Sequence, residues 1–281
     1  MLTSRIFYFI FIQIENQPGF LGVICPDFPA DVFFCRYHTG GEEERVEDQL
    51  EKVAASYDRA IEVGRGAGNP YENLPPHIKE HPHYHLWQKC AQGGASDSAR
   101  VEIRGFLAPE RGMRFVDLGC CLNFMLAGYK DWPSLYYGVD ISARTIDLLR
   151  SFARKNSLVA GDFLCASMHN TPYPDDFFDI GACVGSLEYF ERDFVRQSLL
   201  EFHRIMRAGG RFVLDIPNVG SGEAEVAALV EEYLGRPDKF DLNPGEFESL
   251  LGDFFAVRKK EACGAMIQYF LTVKKTGALY V

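Results

Sequence analysis

The sequence is short of several things, and each shortage excludes something. It has no basic excess: 29 Lys and Arg stand against 39 Asp and Glu, a net charge of −10 over 281 residues. Sequence-independent nucleic-acid binding relies on a basic surface, so no nucleic-acid partner is expected. None of the eight cysteines (25, 35, 90, 120, 121, 165, 183 and 263) forms a C-x-x-C pair. That pattern suits free buried thiols in a reducing compartment, the cytoplasm, better than a disulfide framework or a zinc site. There is no internal repeat and no low-complexity segment. Residues 6–12, IFYFIFI, are apolar but far too few to span a bilayer, which takes about 20 in a helix. They are expected to form a strand or hairpin turning at Gln17-Pro18-Gly19, in preference to a targeting segment. A start codon further downstream would make residues 1–40 foreign to the native protein. With 47% hydrophobic and 24% charged residues, the chain can bury a sizeable core.

What is present begins with a helical pattern over residues 42–63, apolar at Val46, Leu50, Val53, Ala54, Tyr57 and Ile61. Gly64, Gly66 and Gly68 close it. Residues 69–85, rich in Pro, His and Tyr, read as irregular. A helix capped by Ser96 or Ser98 runs to about Leu107. Strands and helices then alternate: strand Arg114–Leu118, a short helix over 121–130, strand Leu135–Asp140, helix Ala143–Lys155 capped by Ser142, strand Phe163–Ser167, strand Asp179–Val184, helix Phe194–Met206, strand Arg211–Ile216 and helix Glu223–Leu234. Two paired strands, Phe255–Ala262 and Ala265–Lys274, end the series. Alternation followed by a hairpin predicts a mostly parallel sheet with an antiparallel edge. The acidic pair Glu231-Glu232 is expected on a solvated helix face, and His169 and His203 in ordinary surface or packing positions.

In such a sheet, ligands bind beyond the carboxyl ends of the strands, beside the point where strand order reverses. The stretch RFVDLGCCLNF, residues 114–124, is a strand running into a turn at Gly119. Asp140 ends the next strand 21 residues later, placed to accept hydrogen bonds from both ribose hydroxyls of a nucleoside. A dinucleotide fingerprint, G-x-G-x-x-G, is missing: Cys121 and Asn123 stand where further glycines would admit a pyrophosphate. A nucleoside without phosphate asks less of those positions. Asn tolerates left-handed backbone angles, so Asn123 is expected to keep the turn.

The blocks RFVDLGC, YYGVDIS, TPYPDDFFDIGAC and LLEFHRIMRAGGRFVLDIPN, in that order, resemble the class I S-adenosylmethionine-dependent methyltransferases, in particular the broad type 11-like group acting on small molecules. The resemblance covers about residues 96–220 and, more loosely, the closing hairpin. It implies a Rossmann-like, doubly wound, seven-stranded sheet in a methyltransferase domain over 96–281. A helical cap over 42–95 would select the acceptor, and residues 1–41 would form an extension. It implies S-adenosyl-L-methionine as cofactor, held by Asp117, Gly119, Cys121, Asn123, Asp140, Ile141, Ser167, Met168, Cys183 and Gly185. Ser167 and Met168 fall at the adenine position, with Asp162 the alternative on a longer loop. Glu188 or Tyr189, just after the fourth strand, could orient or deprotonate an acceptor, or Glu188 could serve as a helix-start carboxylate.

Outside these blocks, HIKEHPHYHLW (residues 77–87) holds four histidines. Pro82 breaks any helical i, i+4 pair, so a polar loop over the pocket is preferred to a metal site, and no metal is assigned. His85 with Tyr84 and Trp87 could line an acceptor pocket; alternatively Trp87 and Leu86 anchor the segment on the core. The expected activity is methyl transfer to a small acceptor. A silent protein of the same fold, acting as a partner or scaffold, is the alternative, and a nucleotide-dependent oxidoreductase a distant third.

Overall fold

A computed structural model describes residues 42–65, 68–91 and 96–275. The strand or hairpin expected near the amino terminus lies outside them. The helices are α1 (Glu42–Arg65), α2 (Pro76–Lys79), α3 (Tyr84–Ala91), α4 (Ser96–Leu107), α5 (Asn123–Leu126), α6 (Ala143–Lys155), α7 (Arg192–Ile205), α8 (Gly222–Tyr233) and α9 (Pro244–Gly252). The strands are β1 (Arg114–Leu118), β2 (Leu135–Asp140), β3 (Asp162–Cys165), β4 (Phe178–Cys183), β5 (Met206–Pro217), β6 (Phe255–Cys263) and β7 (Met266–Val273).

The seven strands form one sheet in the order β3-β2-β1-β4-β5-β7-β6. The first five run parallel; β7 is antiparallel to β5, and β6 to β7. The doubly wound sheet with an antiparallel edge is therefore the fold observed. Strand order reverses between β1 and β4, which puts the switch point at the end of β1. β1 and β4 are buried over nearly their whole length, as strands covered on both faces must be. An aromatic group fastens β1 and β2 to the following turn: Phe115 stacks on Trp132 at 4.8 Å, and Tyr136 packs against Phe124 at 4.8 Å.

Local chemistry sets the helix starts. Ser142 Oγ accepts from the Thr145 N–H at 3.0 Å and opens α6. Asn243 and Glu246 form a reciprocal capping box that opens α9, a helix not anticipated from the sequence. The stretch read as irregular, 69–85, instead contains α2 and begins α3. Proline is acceptable in a helix's first turn, so Pro76 starts α2 rather than forbidding it. Trp87 is buried with Leu74, Ile78, Val226 and Val230 in a second apolar cluster between these short helices and α8. Its anchoring role is therefore the observed one. β5 starts at Met206, five residues early, because Met206 pairs with Phe178 and a register shift after Phe178 absorbs the Arg207–Gly210 stretch. Among the described residues the free thiols of Cys120, Cys121 and Cys183 are buried, and no helix is long and apolar enough to cross a membrane.

Candidate functional site

β1 runs into Gly119, whose φ of +68° is a value glycine reaches without strain. A Cβ there would also meet Ser186 Oγ at 2.1 Å, so glycine is required twice over. Two residues on, Cys121 too is left-handed, with φ +41°. A residue with a Cβ is strained in that region by about 1–2 kcal/mol. The sequence reading gave this left-handed role to Asn123. Asn123 is instead the first residue of α5, buried, its Nδ2 donating to Asp117 Oδ2 at 3.1 Å. Tyr136 donates to the same carboxylate oxygen at 2.8 Å. Asp117 and Asn123 thus brace the turn from behind.

Asp140 holds the strained turn from the front. Its Oδ2 accepts the Cys121 N–H at 2.8 Å and its Oδ1 the Ser142 N–H at 2.9 Å. One carboxylate so joins the β1 turn to the β2–α6 turn. A carboxylate has about four acceptor positions, so each oxygen keeps a lone pair for a further donor. Burial pushes the Asp140 carboxyl up to about 6, against the pull of the two N–H groups and with a smaller push from Asp58 on α1.

Gly119, Cys121, Asp140, Ile141, Ser167, Met168 and Gly185 meet around one cleft of about 560 Å³, part of it open to solvent. Gly185 is left-handed at φ +68°, its N–H donating to buried Asp215 at 2.7 Å. The Ser167 hydroxyl is engaged with His169 Nδ1 at 2.6 Å. Asp117, Asn123 and Cys183 are not part of the cleft wall. Asp162 lies at the start of β3, where it accepts the Phe163 N–H at 2.8 Å, and does not reach the cleft either.

The three acceptor-side residues diverge. Tyr189 lines the cleft, and its hydroxyl lies 3.1 Å from both Tyr57 Oη and Glu231 Oε2. Burial raises its phenol well above the usual value, so it acts as a neutral hydrogen-bond group. Glu188 is buried outside the cleft, and its Oε2 has no hydrogen-bond partner among the described residues. Burial first, then Asp215 and Asp238, hold its carboxyl well above the ordinary carboxylate range. His85 is exposed, its Nδ1 3.0 Å from the Pro82 carbonyl, and it is not brought to the cleft.

One wall comes from α1, through Leu50, Val53 and Tyr57. The sequence reading expected a cap over 42–95 and saw the apolar face of this helix, but named none of these residues for the site. Hydrogen bonds fix it in place. Gln49 Nε2 donates to the Tyr189 carbonyl at 2.9 Å, Ser56 Oγ to the Leu234 carbonyl at 2.8 Å, and Ser142 Oγ to Asp58 at 2.6 Å. Behind Tyr57 lies fully buried Arg236, which pairs with Glu231, reaches Ser56 Oγ at 3.2 Å and sits 4.6 Å over the Tyr57 ring. Glu231 is therefore not on a solvated face: Arg236, after the helix end, draws it inward.

Residues 116–214 match the methyltransferase domain family. The chain is 27% identical over 101 residues to the uncharacterized methyltransferase YcgJ of Bacillus subtilis, a match spanning 36% of this chain and 39% of that relative. Among solved structures, the geranyl diphosphate C-methyltransferase of Streptomyces coelicolor, in complex with Mg²⁺, geranyl diphosphate and S-adenosyl-L-homocysteine, aligns with a TM-score of 0.53 at 14% identity. That alignment covers 70% of this chain and 84% of that one. The PH0226 protein of Pyrococcus horikoshii aligns at 0.51 and 17% identity over 65% and 93%. The matched stretch contains the β1 turn, Asp140 and β4, the elements that build the cleft, and the sheet order agrees with it: residues 116–214 are similar to methyltransferase domains in sequence and in fold.

Proposed function

We propose that the chain transfers a methyl group from S-adenosylmethionine to a small-molecule acceptor. One observation carries the reading: the Gly119 turn and Asp140 meet at one cleft, with Cys121 rather than glycine between them and the phosphate-binding helix start missing. α5 has only four residues and no side-chain cap, a poor seat for a pyrophosphate. The residues fit a nucleoside without phosphate. Asp140 has acceptor capacity left for ribose hydroxyls, and the left-handed Gly119 brings bare backbone to the cleft wall.

When bound, the cofactor supplies a methyl group already activated on a sulfonium, so the protein's task is alignment and exclusion of water. Asp140 would accept from the ribose, Ile141 and Met168 would flank the adenine, and the backbone at Gly119 and Gly185 would approach the methionine portion. Tyr57, Tyr189 and Phe190 would close the acceptor side. Glu188 is buried outside the cleft and His85 is on the surface; among the described residues lining the wall, Asp140, the proposed ribose holder, is the sole carboxylate and there is no imidazole, which favours an acceptor that needs no base.

The left-handed Cys121 favours a second reading, in which the fold survives with a weakened site and serves as a binding partner. Calorimetric titration with S-adenosylmethionine, S-adenosylhomocysteine and NADH separates the two. Micromolar binding of the first two alone supports methyl transfer; no binding by folded protein favours the scaffold.

A further inference from the structure

Apart from the cleft, three metal-ligating side chains converge on the outer side of α8. His81 and His83 follow α2, and Glu225 lies in the first turn of α8. One ligand atom from each lies within 4.8 Å of the others. His83 Nδ1 is 2.8 Å from Glu225 Oε2. His81 Nδ1 accepts the His83 backbone N–H at 3.3 Å, and the two rings meet edge to face with centroids 5.5 Å apart. Pro82 forbids a regular helix here, and the turn it imposes brings alternate residues 81 and 83 to one point. His85 is drawn off to the Pro82 carbonyl.

Two further features preset this geometry. Gly222, the first residue of α8, is the floor under His83: a Cβ there would lie 2.5 Å from the imidazole Cγ and Nδ1. Glycine lets the ring rest on the helix start beside Glu225, one turn on. Below, Ile78 and Trp87 from the histidine segment interlock with Val226 and Val230 of α8, so both ligand-bearing backbones are fixed by the same apolar cluster.

We propose that His81, His83 and Glu225 bind one divalent ion of the zinc class. Two imidazoles and a carboxylate form a borderline donor set suited to such an ion, with a remaining position for water. The ion would clip the 76–91 segment to α8. Its role is structural, since none of the three ligands lines the cleft.

Titration of the full chain with Co²⁺, followed by Zn²⁺ competition, tests this. His83 and Glu225 side chains are 44% and 49% exposed, so His83→Ala and Glu225→Gln are expected to fold. The expected result is one equivalent of Co²⁺ with visible d–d absorption and no thiolate charge-transfer band, displaced by Zn²⁺. Zn²⁺ should raise the unfolding temperature of the wild type but of neither variant. Each variant should lose affinity by at least about tenfold. Unchanged affinity in both variants, a thiolate band, or no saturable binding below on the order of millimolar would overturn the proposal.

Discussion

The strand side of the cleft and the α1 side enclose the same space by different means. On the strand side the work is done by backbone: two left-handed glycines, a strained Cys121, and Asp140 accepting N–H groups from two turns. On the α1 side it is done by side chains far apart in sequence, Ser56, Tyr57, Tyr189, Glu231 and Arg236, joined in one buried polar network. Backbone sites tolerate exchange of their side chains as long as the turn survives. A side-chain network is costly to break where a charged member is removed, because its partner stays buried and uncompensated.

The largest effect should therefore come from the α1 side. Arg236→Ala leaves Glu231 buried and uncompensated and should destabilise the protein by about 3–5 kcal/mol. Replacing both partners together, Arg236→Met with Glu231→Leu, should recover most of that loss. Urea unfolding of the two variants and the wild type checks it; an Arg236→Ala variant as stable as wild type would mean the two walls do not differ in kind.

The strand side should answer in binding. Asp140→Ala should weaken S-adenosylmethionine by about 1.5–3 kcal/mol, the scale of hydrogen bonds to a charged group, without loss of fold. Unchanged affinity in calorimetry would remove Asp140 from the site. Acid should mimic the substitution. Asp140 titrates at about 6, and ribose hydroxyls are best held by the ionised form, so affinity should decline below that pH. Stability of the free protein should move the other way. Asp140 and Asp215 are pushed up from 3.8 to about 6, and Asp238 to about 7, each chiefly by burial. A raised folded value means the native state holds the proton more tightly than the unfolded chain. The contribution is thus whole below about pH 4 and lost as pH rises through 6–7. Denaturation midpoints across that range, beside cofactor affinities, should cross.

The two sides also differed in how far the sequence revealed them. Helices α4 and α6 and strands β1 and β2 fall where local signals put them, since caps, glycines and bounded apolar runs act over a few residues. Gly119 and Asp140 were legible for the same reason. The turn itself was half legible: which residue goes left-handed depends on Asp140 reaching the Cys121 N–H, a contact 19 residues long. The α1 wall was legible as an apolar helix and as part of a cap, but its contacts were not, because its partners lie more than 80 residues away. Glu231 misled, since a carboxylate in a helix reads as solvated unless the arginine that buries it is known. The histidine segment misled by composition, which hid α2 and α3.

Cys121→Gly gives a smaller effect. It removes the left-handed strain of about 1–2 kcal/mol, and glycine's greater freedom in the unfolded chain takes back about 0.5–1 kcal/mol. The two terms leave a gain of about 0–1.5 kcal/mol, and loss of the buried thiol's packing takes part of it back, so a change within about 1 kcal/mol of zero is expected. A change of similar size is expected in Tyr57→Phe. It deletes the 3.1 Å bond to Tyr189 and keeps the ring under Arg236, so about 0.5–1.5 kcal/mol should be lost. The pair discriminates between the walls. Relief at Cys121 alters a single dihedral and should add to Asp140→Ala only weakly through the shared N–H bond. Tyr57→Phe belongs to the network and should be strongly non-additive with Arg236→Ala, since the second change removes what the first would have lost. A double-mutant cycle measures that coupling directly. Simple additivity of Tyr57→Phe and Arg236→Ala would mean the polar groups behind α1 act as separate pairs, and the proposed distinction between a backbone wall and a networked wall would fall.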